Sequence, residues 1–150
     1  MDNLLTASIQ KILCRDLDKL SSELSLYKNE SLIWKSQGEI KNPAGNLCLH
    51  LCGNLQYFIG AVLGNTGYIR NRDNEFALRD ISRENLLKEI AATKKAVEGT
   101  LPQLTETQLH SDYPVDVFGY PMTTGFFLIH LSNHLGYHLG QVNYHRRLVG

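Results

Sequence analysis

Residues 130–141 read HLSNHLGYHLGQ, which sets His130, His134 and His138 at four-residue steps. Residues four apart in an α-helix lie almost above one another on one face. Two imidazoles at that spacing reach a single metal ion, as in H-x-x-x-H zinc sites. His50 sits far upstream on another strongly helical segment and offers a third candidate ligand. Two ligands from one helix and one from another leave a coordination position open. That pattern belongs to catalytic metal sites rather than closed structural ones.

Four long helices can be read outward from this run. The first extends from about Asp2 to Tyr27, with Leu5, Ile9, Ile12, Leu13, Leu17, Leu20 and Leu24 at three- and four-residue intervals. A polar stretch, Ser36 to Asn42, breaks the pattern, and Pro43 suits the first turn of the second helix, which reaches about Leu63. Its stripe is Leu47, Leu51, Leu55, Phe58 and Val62, and Gly64-Asn65 and Thr66-Gly67 stop it. A long irregular connection follows, GNTGYIRNRDNEFALRDI. Ser82 then caps a third helix on the stripe Leu86, Leu87, Ile90, Ala91 and Val97, ending near Gly99 or Leu101. The segment LPQLTETQLHSDYPVDVFGYPMTT is turn-rich, with Pro102, Pro114 and Pro121 and no helical period; the fourth helix runs from about Thr124 to Leu148.

The expected fold is therefore all-α, a single domain over residues 1–150. The connection between the second and third helices is far longer than the usual 2–8 residues or so between antiparallel neighbours. It is long enough to run the length of the bundle, which predicts parallel second and third helices and an up-down-down-up order.

Formal net charge is zero, which argues against nucleic acid, because phosphate binding needs a basic surface. No stretch is expected to serve as a membrane span of about 20 residues. The start, MDNLLTASIQKILCRDLDKL, lacks the layout of a signal peptide. With three cysteines and no secretory signal, reduced thiols in a cytoplasmic protein are the expectation.

At about 100° per residue from His138, His134 falls at about −40°, Gln141 at about −60°, His130 at about −80° and His145 at about −20°. Leu131, Val142 and Leu135 lie beside them, so this polar cluster borders the core-facing stripe. A lone histidine there is commonly a hydrogen-bonded core residue, and a pair also arises by chance. His50 and Gln141 turn the balance toward a shared metal ion. Cys48 and Cys52 flank His50 but point away from it, and with Cys14 they read as packing residues. Asn54, one turn after His50, lies on its side of the helix.

His50, with His134 and His138 inside N-H-L-G-Y-H-L-G-Q, resembles the DinB/YfiT-like superfamily of small bacterial four-helix proteins. The resemblance covers essentially the whole chain, and GNLCLHLCGNLQYFIGA and GYIRNRDNEFA are similar to one branch of it. It implies an up-down-down-up bundle with His50, His134 and His138 as metal ligands. Many relatives carry arginine after the last ligand, where this chain has Leu139. His130 is an extra histidine, read as structural or as supporting the ligands.

Leu135 stands where the peptidase motif H-E-x-x-H places its glutamate base, which disfavours a zincin. Three neutral imidazoles leave a bound cation its full charge, enough to activate a thiol or water. The resemblance implies a low-molecular-weight thiol such as bacillithiol, mycothiol or glutathione, hence S-transfer to an electrophile. Two alternatives are a metal-dependent hydrolase, with Asp73, Glu75, Asp112 or Asp116 as base, and a non-catalytic metal-binding stress-response protein. Zinc or nickel is the expected ion, with iron or manganese as alternatives. Arg70 or Arg72 would hold an anionic substrate, unless the charged loop simply pairs with itself. Tyr113, Phe118, Tyr120 and Met122 would wall a pocket mouth or merely cover the bundle end. Ser132, Gly136 and Gly140 recur opposite the histidines, and the resemblance favours a homodimer seam there over packing on the first helix.

Overall fold

The computed structural model describes residues 3–150. Helix α1 is Leu4–Leu26, α2 is Ala44–Gly64, α3 is Arg72–Ala77, α4 is Arg83–Thr100, α5 is Glu106–His110 and α6 is Thr124–Val149. The expected helix start at Asp2 lies outside the described residues. Short 3₁₀ turns form at Glu30–Trp34 and Leu101–Gln103, and an isolated bridge joins Asp112 to Thr123. Among the described residues the protein is thus all-helical, with α1, α2, α4 and α6 as its long elements.

Asn3 starts α1: its side chain accepts hydrogen bonds from the Leu5 and Thr6 amides, at 2.9 and 3.2 Å, satisfying two donors the helix cannot. Leu13, Leu17, Leu20 and Leu24 then bury completely. In α4, Ser82 caps the Asn85 amide as expected, and Leu86, Ile90 and Val97 enter the core.

α2 requires two corrections. At 21 residues, Ala44–Gly64 is long and apolar enough to cross a membrane, against the expectation, but 61% of its apolar window is buried inside the protein. It is a core helix, packed on α4 and α6, and its interior-facing side carries His50. Its regular α-hydrogen bonding also gives way to a π-helical turn at Gln56–Ala61. One extra residue per turn rotates the downstream face. Ile59 therefore buries where the stripe predicted Phe58, and Phe58 is left half-buried beside the site. Pro43 precedes the first helical residue as its cap.

The connection after α2 is not irregular. Asn65 leaves the helix with φ of 50°, a left-handed conformation that asparagine tolerates. α3 then forms under several restraints. Asn71 caps the Asn74 amide at 3.1 Å. The fully buried Asn46 of α2 donates to the Glu75 and Leu78 carbonyls at 2.9 and 2.8 Å, and the Trp34 indole donates to the Ile81 carbonyl at 3.1 Å. The second turn-rich segment likewise contains a helix, α5. Its start is a reciprocal capping box between Thr105 and Gln108, and Glu106 bonds the Asn3 side chain.

The long helices meet at defined heights. Leu5 of α1 lies beside Gly125 of α6, and Glu23 accepts from Asn143 and Arg146 at 2.7 and 2.6 Å. Arg83 at the start of α4 donates to the Tyr27 carbonyl at 2.6 Å, and Lys94 pairs with Asp18 at 2.9 Å. Gln56 of α2 bonds Glu89 of α4 at 3.3 Å, and Gly64 packs on Thr100. Phe58 meets the Phe127 ring at 5.0 Å. These contacts set His50 against the middle of α6.

Candidate metal centre

His50, His134 and His138 converge, each offering one ring nitrogen within 4.8 Å of the others. Their rings stand nearly edge-to-face: 78° between His50 and His134, 88° between His50 and His138, and 85° between His134 and His138. The Nε2 atoms of His50 and His134 are 3.2 Å apart. Two ligands at about 2.0–2.1 Å from one tetrahedral ion stand about 3.3 Å apart.

Groups behind the rings fix which nitrogen faces the centre. The Glu75 carboxylate lies 3.0 Å from His50 Nδ1. An ionised carboxylate only accepts, so Nδ1 holds the proton and Nε2 presents its lone pair. Gln141 Oε1 does the same for His138 Nδ1 at 2.7 Å. Glu75 is itself clamped by Arg70, whose Nε and Nη2 donate to its two oxygens at 2.9 Å each. Burial works to raise the Glu75 pKa, but hydrogen bonds from His50 and Arg70 outweigh it and hold the carboxyl below its usual range. Gly53 is required by this arrangement: a Cβ there would come within 1.9 Å of Glu75 Oε2.

Glu75 is thus not the free base the sequence allowed. Its oxygens are committed to His50 and Arg70, and its role is to orient a ligand. The sequence contained a signal for it, since an interior helical glycine costs about 1 kcal/mol against alanine and asks for a steric reason.

Burial, then repulsion from the neighbouring imidazoles, lowers the His134 pKa to about 4. Burial also lowers His138, with the Gln141 bond opposing. Neutral imidazoles that present lone pairs to one point repel each other unless a cation lies between them. The donor set therefore fits one divalent transition metal ion. His134 Nδ1 is buried with no partner among the described residues, so two of the three rings have an orienting partner there.

His130 stays out of the cluster. It stacks on Phe127 at 5.8 Å and 10°, touches Phe118 edge-on, and its ring centre is 6.4 Å from His134. His145 is also elsewhere, buried between the Tyr27 hydroxyl at 2.6 Å and the Lys35 carbonyl at 2.7 Å. Cys48 and Cys52 are buried packing residues, and Cys14 is half-buried.

A cleft of about 540 Å³ opens on His50 and His134 and is also lined by Asn54, Arg70, Arg72 and His130. Arg70 is occupied by Glu75, so of the two arginines only Arg72, exposed and stacked over Phe76 at 5.2 Å, carries a charge without an acidic partner among the described residues. Phe118 lines the cleft, whereas Tyr120 is 56% exposed and stacks on the outer side of Phe118. Tyr113 and Met122 are buried. Of the candidate bases, Asp116 lines the cleft; its Oδ1 accepts from the Gly119 amide at 2.8 Å.

An all-helical protein with three inward imidazoles on two helices, oriented from behind by a carboxylate and a carboxamide, is a candidate metal-binding protein. The chain belongs to the DinB superfamily, whose family model matches residues 14–142. No curated protein matches the chain.

Proposed function

We propose that the protein is a cytoplasmic metal-dependent enzyme that transfers a low-molecular-weight thiol to an electrophile. The observation that carries this reading is a cluster of three histidines beside a cleft: no fourth acidic or thiol ligand joins it among the described residues, and the cleft reaches two of the three. A divalent ion bound there, zinc or nickel before iron or manganese, would supply the positive charge that lowers a thiol's pKa, so that no protein base is required. Glu75 and Gln141 hold the His50 and His138 rings, and Phe58, Phe118 and Phe127 give the cleft aromatic surface beside them. The contacts between helix ends support an up-down-down-up four-helix bundle as the scaffold.

Hydrolysis is the second reading, favoured by Asp116, an acidic side chain that lines the same cleft. A homodimer along the outer face of α6 is also proposed. Phe126, Ile129, Tyr137 and Tyr144 are each at least half exposed there, at 52%, 50%, 65% and 66%. Gly140 has no neighbour within 4 Å of an added Cβ, and Gly136 only Asp16 at 3.8 Å, so packing on α1 does not demand either glycine.

The test is a panel of thiols and electrophiles offered to protein reconstituted separately with zinc, nickel, manganese and iron. Thiol consumption with at least one metal, lost in His134→Ala, supports the transferase. Ester or amide cleavage without thiol supports the hydrolase, and no turnover with any metal supports the non-catalytic reading.

A further inference from the structure

The cleft beside the imidazoles carries two opposite charges that do not meet. Arg72 and Asp116 both line it, one from α3 and the other from the segment before α6. Among the described residues no ion pair joins them to each other or to any other side chain. Arg70, the cleft's other arginine, is spent on Glu75. One guanidinium and one carboxylate are therefore left uncompensated on the cleft walls.

The fold holds each of them in place. The Arg72 guanidinium lies over the Phe76 ring at 5.2 Å, which leaves its N–H edge free for a bidentate contact with a carboxylate. That ring packs on the His50 ring at 4.9 Å, so the guanidinium carbon is no more than about 10 Å from the centre of the His50 ring. Asp116 Oδ1 accepts from the Gly119 amide at 2.8 Å, in a turn where Gly119 takes φ of 82°. Its Oδ2 has no partner among the described residues and remains available to a donor.

We propose that Arg72 and Asp116 bind the carboxylate and the ammonium of one amino-acid head, and that the thiol taken up by this cleft is zwitterionic. The inference rests on the thiol-transfer reading, because hydrolysis would employ Asp116 as its base. A cleft of about 540 Å³, taken as a sphere, is about 10 Å across. An amino-acid head between the two side chains spans about 9 Å: two charge-assisted contacts of about 2.8 Å and roughly 3 Å between its own charges. Both side chains are exposed, whereas His50 is 7% exposed, so the head sits at the mouth and several bonds separate it from the sulfur. Phe58, Phe127 and Val117 supply the apolar wall that such a spacer crosses. An anion alone would satisfy Arg72 and meet repulsion from Asp116. A cation alone would do the reverse, and a neutral thiol would leave both charges unused.

Three thiols that differ only in the head test this: N-γ-glutamylcysteamine carries both charges, N-glutarylcysteamine the carboxylate alone, and N-(4-aminobutyryl)cysteamine the ammonium alone. Titration calorimetry with zinc-loaded protein should find the zwitterion bound about fivefold more tightly than either singly charged probe, the upper worth of an exposed ion pair. In Arg72→Gln the zwitterion should fall to the level of the aminobutyryl probe, and in Asp116→Asn to that of the glutaryl probe, with zinc content unchanged in both. The S-methyl ether of the zwitterion keeps the head and has no thiol to ionise, and it should show the same two losses. Those losses in the ether, with no turnover of any thiol, would uphold the head assignment and remove the transferase reading alone. Equal binding of the three thiols, binding of none, or a zwitterion preference that survives both substitutions would overturn the proposal.

Discussion

Replacing Glu75 by glutamine keeps the shape of the side chain and removes its charge. The glutamine must then accept from His50 Nδ1, now 3.0 Å from the carboxylate, while Arg70 loses its anion. Removing such a partner behind a ligating histidine typically costs about 10–100-fold in metal affinity, or about 1.4–2.7 kcal/mol. The metal-free fold should weaken too, because the Arg70 side chain is only 12% exposed. Breaking a buried pair outright costs about 3–5 kcal/mol, and the surviving amide contacts bring the expectation for glutamine to about 1–3 kcal/mol. Zinc affinity is read by competition with a chromophoric chelator at neutral pH, and metal-free stability by urea unfolding. Gln141→Ala is the control: Gln141 is exposed and makes one contact to the site, so it should lose less. Glu75→Gln binding zinc within about twofold of wild type would refute the orienting role, since that penalty is at least about tenfold.

Other consequences are as direct. Gly53→Ala should imitate Glu75→Gln in chelator competition, because the new Cβ takes the place of Glu75 Oε2; unchanged zinc affinity would contradict this. Metal-free protein should lose stability as pH falls from 6.5 toward about 4: His134 titrates near 4 when folded against an ordinary 6.5, so the unfolded chain takes up protons first. A urea midpoint constant across that window would count against it. Tyr27→Phe strands the buried His145 Nδ1 and should cost about 1–3 kcal/mol in urea unfolding, with zinc binding untouched. Sedimentation should find a wild-type dimer at micromolar concentration that Gly136→Leu weakens; a wild-type monomer would end the dimer proposal.

The histidine pair of α6 could be read from the sequence because its chemistry follows the helical period, and His50 because its segment is apolar at that same period. His145 projects close to the ligand line on the wheel, yet seven residues carry it about 10 Å further along the axis than His138, away from the centre. Glu75 was hidden for the opposite reason. It sits in a segment without periodicity, and its contact with His50 depends on how the connection folds back over α2. Gly53 and Asn46, both on α2, were the traces of that contact. The helix at Glu106–His110 did leave a local mark, the Thr105-x-x-Gln108 capping box, which the prolines around it obscured. The π-helical turn left none, since an extra residue in a helical turn alters facing without altering composition.

The central claim is that three imidazoles hold one divalent ion, and X-ray absorption at the metal edge of zinc-loaded protein tests it most directly. The account predicts a shell of imidazole nitrogens at about 2.0–2.1 Å, with multiple-scattering signatures of three rings that fall when His50, His134 or His138 is replaced by alanine and persist in His130→Ala. A sulfur shell at about 2.3 Å would assign the ion to Cys48 and Cys52 instead, and undiminished zinc content in all three single alanine variants would remove the site altogether.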